Sequence, residues 1–423
     1  MIWGVVILFT CLVLGFPIYL GLLAGGLYIL VIAYHIPVDM VVIGLYDGVA
    51  KFTLLAVPYF LLAGALMENS SISRRLVDCT VPWLVRVRGG FPIAGIIANE
   101  IFGAISGSSA AATATIGRVM FPEITKTNGE RFALGLLTSA GALAIIMPPS
   151  INMILFATAT NVSIGALFLA GVVPAAILGG CLAVYIFLVS PRPDVSQRFD
   201  LKVAVHKTIQ GLSALSFPIV ILGGIYTGIF TPTEAGAFSA VYAFLLPAVL
   251  YRELGWKQIV SSIKDTTRLS AQIFILIASS TVFSQALTVA RVPDMLVPLV
   301  GDLGQFWFLV ILNLVLLIVG CFFDPTSAVL VLAPVVAPIA NALGIDLLHL
   351  GIVFTINLAI GMFTPPFGLN LFVMQSIFKK RLEEIARAIP PFFGVFLVAL
   401  VIITYFPQLY LWLPRIWLGH TGQ

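Results

Sequence analysis

Apolar positions in this chain run on in blocks rather than alternating with polar ones. The blocks cover 2–33, 54–67, 132–159, 164–189, 212–230, 235–250, 273–287, 306–323, 347–378 and 391–413. About 20 consecutive apolar residues cross a bilayer as helix, and several blocks reach or approach that length. The pattern predicts an all-α polytopic membrane protein lying in a lipid bilayer. Two further segments break the pattern. The stretch 91–122 is interrupted by Ser106-Gly107-Ser108-Ser109, and 306–338 by Asp324-Pro325-Thr326-Ser327.

An internal repeat organises the blocks. Pro148-Pro149 and Pro365-Pro366 lie 217 residues apart. At the same offset Ser106 to Ser109 falls on Phe323 to Thr326, and Pro174 on Pro391. The expected units are a first repeat over 1–190, a connector over 191–207 and a second repeat over 208–423. Each repeat holds a hairpin (91–122 and 306–338) and a proline-broken helix (132–160 and 347–378).

Charge then orients the repeats. Hydrophobic residues make up 60% of the 423 and charged ones 9%, so the few basic residues carry topological weight. Arg74, Arg75, Arg86 and Arg88 have Arg291 as the single basic residue at the equivalent positions. Lys126 and Arg131 map to leucines, and Lys379, Lys380 and Arg381 map back to uncharged residues. Basic loops favour the cytoplasm, so equivalent loops are expected on opposite sides. That is an inverted-topology repeat, the plan of many secondary transporters. The connector, with Arg192, Arg198, Lys202 and Lys207, is expected in the cytoplasm.

The net charge of +4 is loop charge rather than a nucleic-acid footprint. Cys11, Cys79, Cys181 and Cys321 are scattered packing residues without metal spacing. His35, His206, His349 and His420 lie far apart. No catalytic or nucleotide-binding motif is present, so no enzyme activity and no cofactor are expected. Met1 is followed by no basic n-region, so no cleavable signal peptide is expected.

Both interrupted segments read as re-entrant hairpins. Non-helical backbone at membrane depth survives only inside protein or beside a wet cavity. Helix N-termini there favour anions, and carbonyls and hydroxyls favour hard cations. The candidate solute and sodium site therefore takes Ser106, Gly107, Ser108 and Ser109 from one tip, and Asp324, Thr326 and Ser327 from the other. Pro149, Ser150 and Asn152 join it from the first proline break, with Thr364, Pro365, Gly368 and Asn370 from the second. Asp324, Ser106, Ser109 and Thr326 are the candidate sodium ligands. An intramembrane carboxylate such as Asp324 is usually functional, although an Asp at a helix start also caps it. Glu234, after Pro232, reads as a helix-start carboxylate.

The segments Phe102 to Ser109, Met147 to Ile151, Thr231 to Ala235 and Thr364 to Gly368 resemble the large membrane subunit of tripartite ATP-independent periplasmic (TRAP) transporters. The resemblance runs over nearly the whole chain. It implies a bacterial inner-membrane location and an elevator-type movement driven by sodium. It also implies a small four-helix membrane subunit and a soluble periplasmic binding protein as partners. Substrates in the family are mostly organic acids, including C4-dicarboxylates, sialic acid and other sugar acids. Many relatives carry an Asp shortly after the Ser-Gly-Ser-Ser tip, where this chain has Ala110 to Thr113. The residues alone also fit a stand-alone sodium–carboxylate symporter or an anion channel.

Overall fold

A computed structural model describes residues 2–192, 199–301 and 304–419; Arg198 and His420 lie outside them. All regular elements among the described residues are helices. The first half runs α1 (Ile2–Val13), α2 (Ile18–Leu27), α3 (Val38–Val49), α4 (Ala56–Glu68) and α5 (Ile72–Leu84). It continues with α6 (Gly90–Ser106), α7 (Ser109–Asn128), α8 (Glu130–Ala140), α9 (Ile151–Thr160) and α10 (Ile164–Val189). The second half has α11 (Leu201–Tyr226), α12 (Pro232–Leu245), α13 (Trp256–Val289), α14 (Val292–Gly301) and α15 (Gly304–Phe322). Then come α16 (Pro325–Ala342), α17 (Leu347–Gly361), α18 (Leu369–Phe378), α19 (Leu382–Ala388), α20 (Pro390–Tyr405) and α21 (Gln408–Leu418).

Six of these helical segments are long and apolar enough to span a membrane, and up to eight if two bent pairs count as single spans. The outer surface explains the excess of apolar residues. Phe9, Ile219, Ile229, Leu314 and Ile318 are all exposed. A soluble fold would bury such side chains, whereas a helix facing lipid leaves them outside. Burial concentrates instead on the broken helices: every residue of α17 after Leu347 is buried.

Features recur at the sequence offset beyond the motifs. Pro148-Pro149 and Pro365-Pro366 both carry cis peptide bonds. A π-helical turn at Tyr28–Ala33 is matched by one at Leu246–Leu250. Left-handed His35 is matched by left-handed Arg252. One element departs. The bent pair of α3 and the segment Phe52–Glu68 turns by 50°, yet its counterpart α13 is one 34-residue helix.

The connector is shorter than the expected 191–207. Helix α11 starts at Leu201 because Asp200 caps it, its carboxylate accepting from the Lys202 and Val203 amides at 2.8 and 3.4 Å. The halves also interlock. Hairpin arm α7 packs on α18 of the other half, and hairpin arm α16 packs on α9. Each hairpin therefore closes against the opposite half's broken helix, which brings the four interruptions together.

Candidate functional site

Local sequence makes each tip. Helix α6 ends where Gly107 turns left-handed at φ +59°, a conformation glycine adopts without Cβ strain. Ser108 then caps α7, its hydroxyl accepting from the Ala111 amide. In the other hairpin Asp324 caps α16 and Pro325 takes the first helical position. The Asp324 carboxylate is exposed and accepts from the Ser327 amide at 3.0 Å and the Ser327 hydroxyl at 2.5 Å. The geometry is that of a helix cap whose carboxylate still faces outward, with lone pairs to spare for a cation.

The proline breaks are satisfied by their own neighbours. Prolines remove helix hydrogen bonds and free carbonyls. The Ser150 hydroxyl donates to the freed Ile145 carbonyl at 2.6 Å, and the Thr364 hydroxyl donates to the Ile360 carbonyl one turn back at 2.6 Å. The Asn370 amide donates to the Met362 carbonyl at 2.9 Å, closing the second break. Gly368 sits folded onto that loop, where an added Cβ would lie 2.8 Å from the Met362 carbonyl oxygen. Ser150, Thr364 and Gly368 thus hold the breaks in shape. Pro365 is exposed beside them.

Contacts between tips and breaks define the centre. A Cβ on Gly107 would lie 3.4 Å from the Pro149 carbonyl oxygen, so the first tip rests on the first break. Ser109 Oγ donates to Asn370 Oδ1 at 2.9 Å and accepts from Asn370 Nδ2 at 2.8 Å. Asn370 also donates to the Thr138 carbonyl at 3.0 Å. Across the pseudo-equivalent contact, Thr326 Oγ1 donates to Asn152 Oδ1 at 3.4 Å. Phe322 and Phe367 bring the second tip to the second break, their ring centroids 5.8 Å apart. Ser106 Oγ accepts from the Ser108 amide at 3.4 Å within its own tip, and α4 presses Gly64 against the Ser106 backbone.

Three contributors escaped sequence reasoning. Thr138 supplies a carbonyl to Asn370. Thr113 carries a buried hydroxyl with no partner among the described residues. A Cβ on Gly141 would strike that hydroxyl and lie 3.1 Å from the Ser109 carbonyl oxygen, so both oxygens border Gly141. Oxygens of Ser109, Thr113 and Thr138 are hard donors of the kind a small hard cation takes. A signal existed for Thr138, because Thr355 lies at the same repeat offset. Glu234, by contrast, closes a capping box with Thr231 and stays out of the centre.

Known proteins share this chain's sequence and fold. The relatives include a large permease protein of a C4-dicarboxylate TRAP transporter from Pseudomonas aeruginosa, 38% identical, with 94% of each chain covered. An isethionate TRAP transporter permease protein, DctMQ, from Oleidesulfovibrio alaskensis is 33% identical over 94% of this chain and 64% of its own. Among solved structures the YdaH transporter of Alcanivorax borkumensis superposes with a TM-score of 0.59 at 13% identity, covering 86% of this chain and 87% of that one. At that identity the likeness is one of fold. A family model described as the tripartite ATP-independent periplasmic transporter, DctM component, matches residues 5–409. The interrupted, interlocked helices and the match over nearly the whole length agree: the chain belongs to the DctM family of tripartite ATP-independent periplasmic transporters.

Proposed function

We propose that this chain is the sodium-coupled permease subunit that imports a small organic acid handed over by a periplasmic binding protein, working beside a small membrane subunit. As a family member it is a multi-pass protein of the bacterial inner membrane. The observation that carries the reading is the pair of inter-half contacts, Ser109 to Asn370 and Thr326 to Asn152. They put four interrupted elements, with their free backbone dipoles and hydroxyls, around one place. Such breaks at the midplane are where secondary transporters bind solute and coupling ion.

Inverted halves supply the mechanism. Each hairpin leans on the broken helix of the other half, so hairpins and broken helices move as one body against the remaining helices. Exchange of the two halves' roles alternates the exposed side. Asp324, Ser109 and their oxygen neighbours hold sodium, and the helix N-termini at the tips take the carboxylate. The substrate class is supported by the relatives named for C4-dicarboxylates and isethionate, both small organic anions.

The test is uptake in proteoliposomes holding this chain with its small subunit and binding protein. Succinate or N-acetylneuraminate should accumulate only under an inward sodium gradient. Equal uptake with choline replacing sodium removes the coupling. Equal uptake without the binding protein removes the tripartite assembly and leaves a stand-alone symporter.

A further inference from the structure

A cavity of about 440 Å³ lies between α3 and α13 on one side and α9 and α16 on the other. That is the size of a small-ligand site. None of the tip residues Ser109, Asp324 or Asn370 lines it. Thr281, Ser284, Gln285 and Thr288 do, at the spacing that puts four residues on one face of a helix. A polar stripe on a membrane helix is expected to face a polar space rather than lipid.

Lys51, at the break between α3 and α4, is the charged residue among those lining the cavity, and no carboxylate lines it. Its Nζ donates to the Thr158 carbonyl at 3.0 Å. An ammonium has three donors, so two remain. Lys51 forms no ion pair among the described residues. A bond to the last turn of α9 is what a helix-capping lysine would make. Capping leaves the cavity and the polar stripe opposite unexplained. Lys51 is exposed, and a cation with no carboxylate among the residues lining the cavity draws anions toward it.

We propose that this cavity is a second anion site, in which Lys51 binds one carboxylate of a small organic acid on its way to or from the tips. Ser284 and Gln285 offer donors for the remaining oxygens. The inference rests on the transport reading for its ligand, yet the cavity's anion preference is testable without transport.

Ser284→Cys in full-length chain with its four native cysteines changed to Ser gives a reporter inside the cavity. Labelling rates are read with an anionic and a cationic methanethiosulfonate reagent. Lys51→Gln should lower the anionic-to-cationic rate ratio about threefold or more, and Lys51→Arg should keep it. Succinate or gluconate should slow labelling where neutral succinamide does not. In the assembled transporter Lys51→Gln should raise KM about tenfold with little change in kcat. An unchanged rate ratio, or equal protection by succinate, gluconate and succinamide, overturns the site. An unchanged KM overturns its place on the substrate's route. Labelling as expected from an assembled complex that moves no organic acid would remove the transport reading and leave the anion site standing.

Discussion

Ser109 and Asn370, 261 residues apart in sequence, form a buried two-way hydrogen bond at the point where the first hairpin tip meets the second broken helix. The repeat offset takes Ser109 to Thr326 and Asn370 to Met153, the neighbour of Asn152, and Thr326 hydrogen-bonds Asn152 at 3.4 Å. Near-equivalent positions thus meet in both halves, one tightly and one loosely. Asn370 has two further bonds, through its backbone to Met362 and through its side chain to Thr138.

The inequality predicts unequal variants. Asn370→Ala strands Ser109 and the Thr138 carbonyl, and should cost about 1–3 kcal/mol. Asn152→Ala loses one long bond and should cost about 1 kcal/mol or less. Thermal unfolding in detergent reads the difference. Equal losses would mean that the two contacts are energetically alike.

Asp324 separates capping from ion binding. Asn caps a helix about as well as Asp, so Asp324→Asn keeps α16 anchored while removing the charge. Asp324→Ala removes both and should cost about 1 kcal/mol of stability. The sodium-dependence of uptake should shift to higher sodium in Asp324→Asn at matched expression. Superimposable curves for wild type and Asp324→Asn would leave Asp324 as a cap alone.

Two glycines at the first tip should respond differently to the same substitutions. Gly107 has room for a Cβ but sits at φ +59°, so Gly107→Ala should cost about 1–2 kcal/mol and Gly107→Asn less, since Asn visits that conformation. Gly64 has no room: a Cβ would lie 2.9 Å from the Ser106 carbonyl oxygen. Gly64→Ala should cost about 1–3 kcal/mol, and Gly64→Asn more. Rescue of Gly64 by Asn would contradict the steric account.

The proposed inverted topology is checked by labelling. Single cysteines at Arg86 and Arg381 should react from the cytoplasmic side, and one at Ser163 from the periplasmic side. Arg381 and Ser163 are close to equivalent in the repeat, so labelling of both from one side would break the inversion.

A polar cluster outside the spans carries a pH dependence. Glu253 accepts from the Ser71 amide at 2.9 Å, the Ser71 hydroxyl at 2.6 Å and Arg75 at 3.2 Å, and Arg75 lies over the Tyr251 ring. Burial pushes the Glu253 carboxyl up, but the Ser71 hydrogen bonds and the Arg75 charge together hold it below its ordinary 4.5. A depressed carboxyl stabilises the fold above its unfolded pKa, and that gain fades as pH drops through the folded one. Glu253→Gln should therefore melt below wild type at neutral pH, and the gap should close once pH falls well under 4.5. A gap constant with pH would assign the loss to packing.

The sequence alone determined the solvent, the helical class, the interruptions at the two tips and the two proline breaks. These are short-range properties: apolar run length sets bilayer crossing, and proline interrupts a helix wherever it falls. The repeat was legible too, because equivalent breaks keep their spacing. Which candidates touch which was decided by tertiary packing. Ser150, Thr364 and Gly368 carry the same signature as Asn152 and Asn370, yet they serve their own loops while the asparagines reach across. Lys51 and Thr138 sit in no motif, and only tertiary packing brings them to their partners Thr158 and Asn370. Side-chain direction at a break depends on which helix lies alongside, and in this chain that neighbour belongs to the other half.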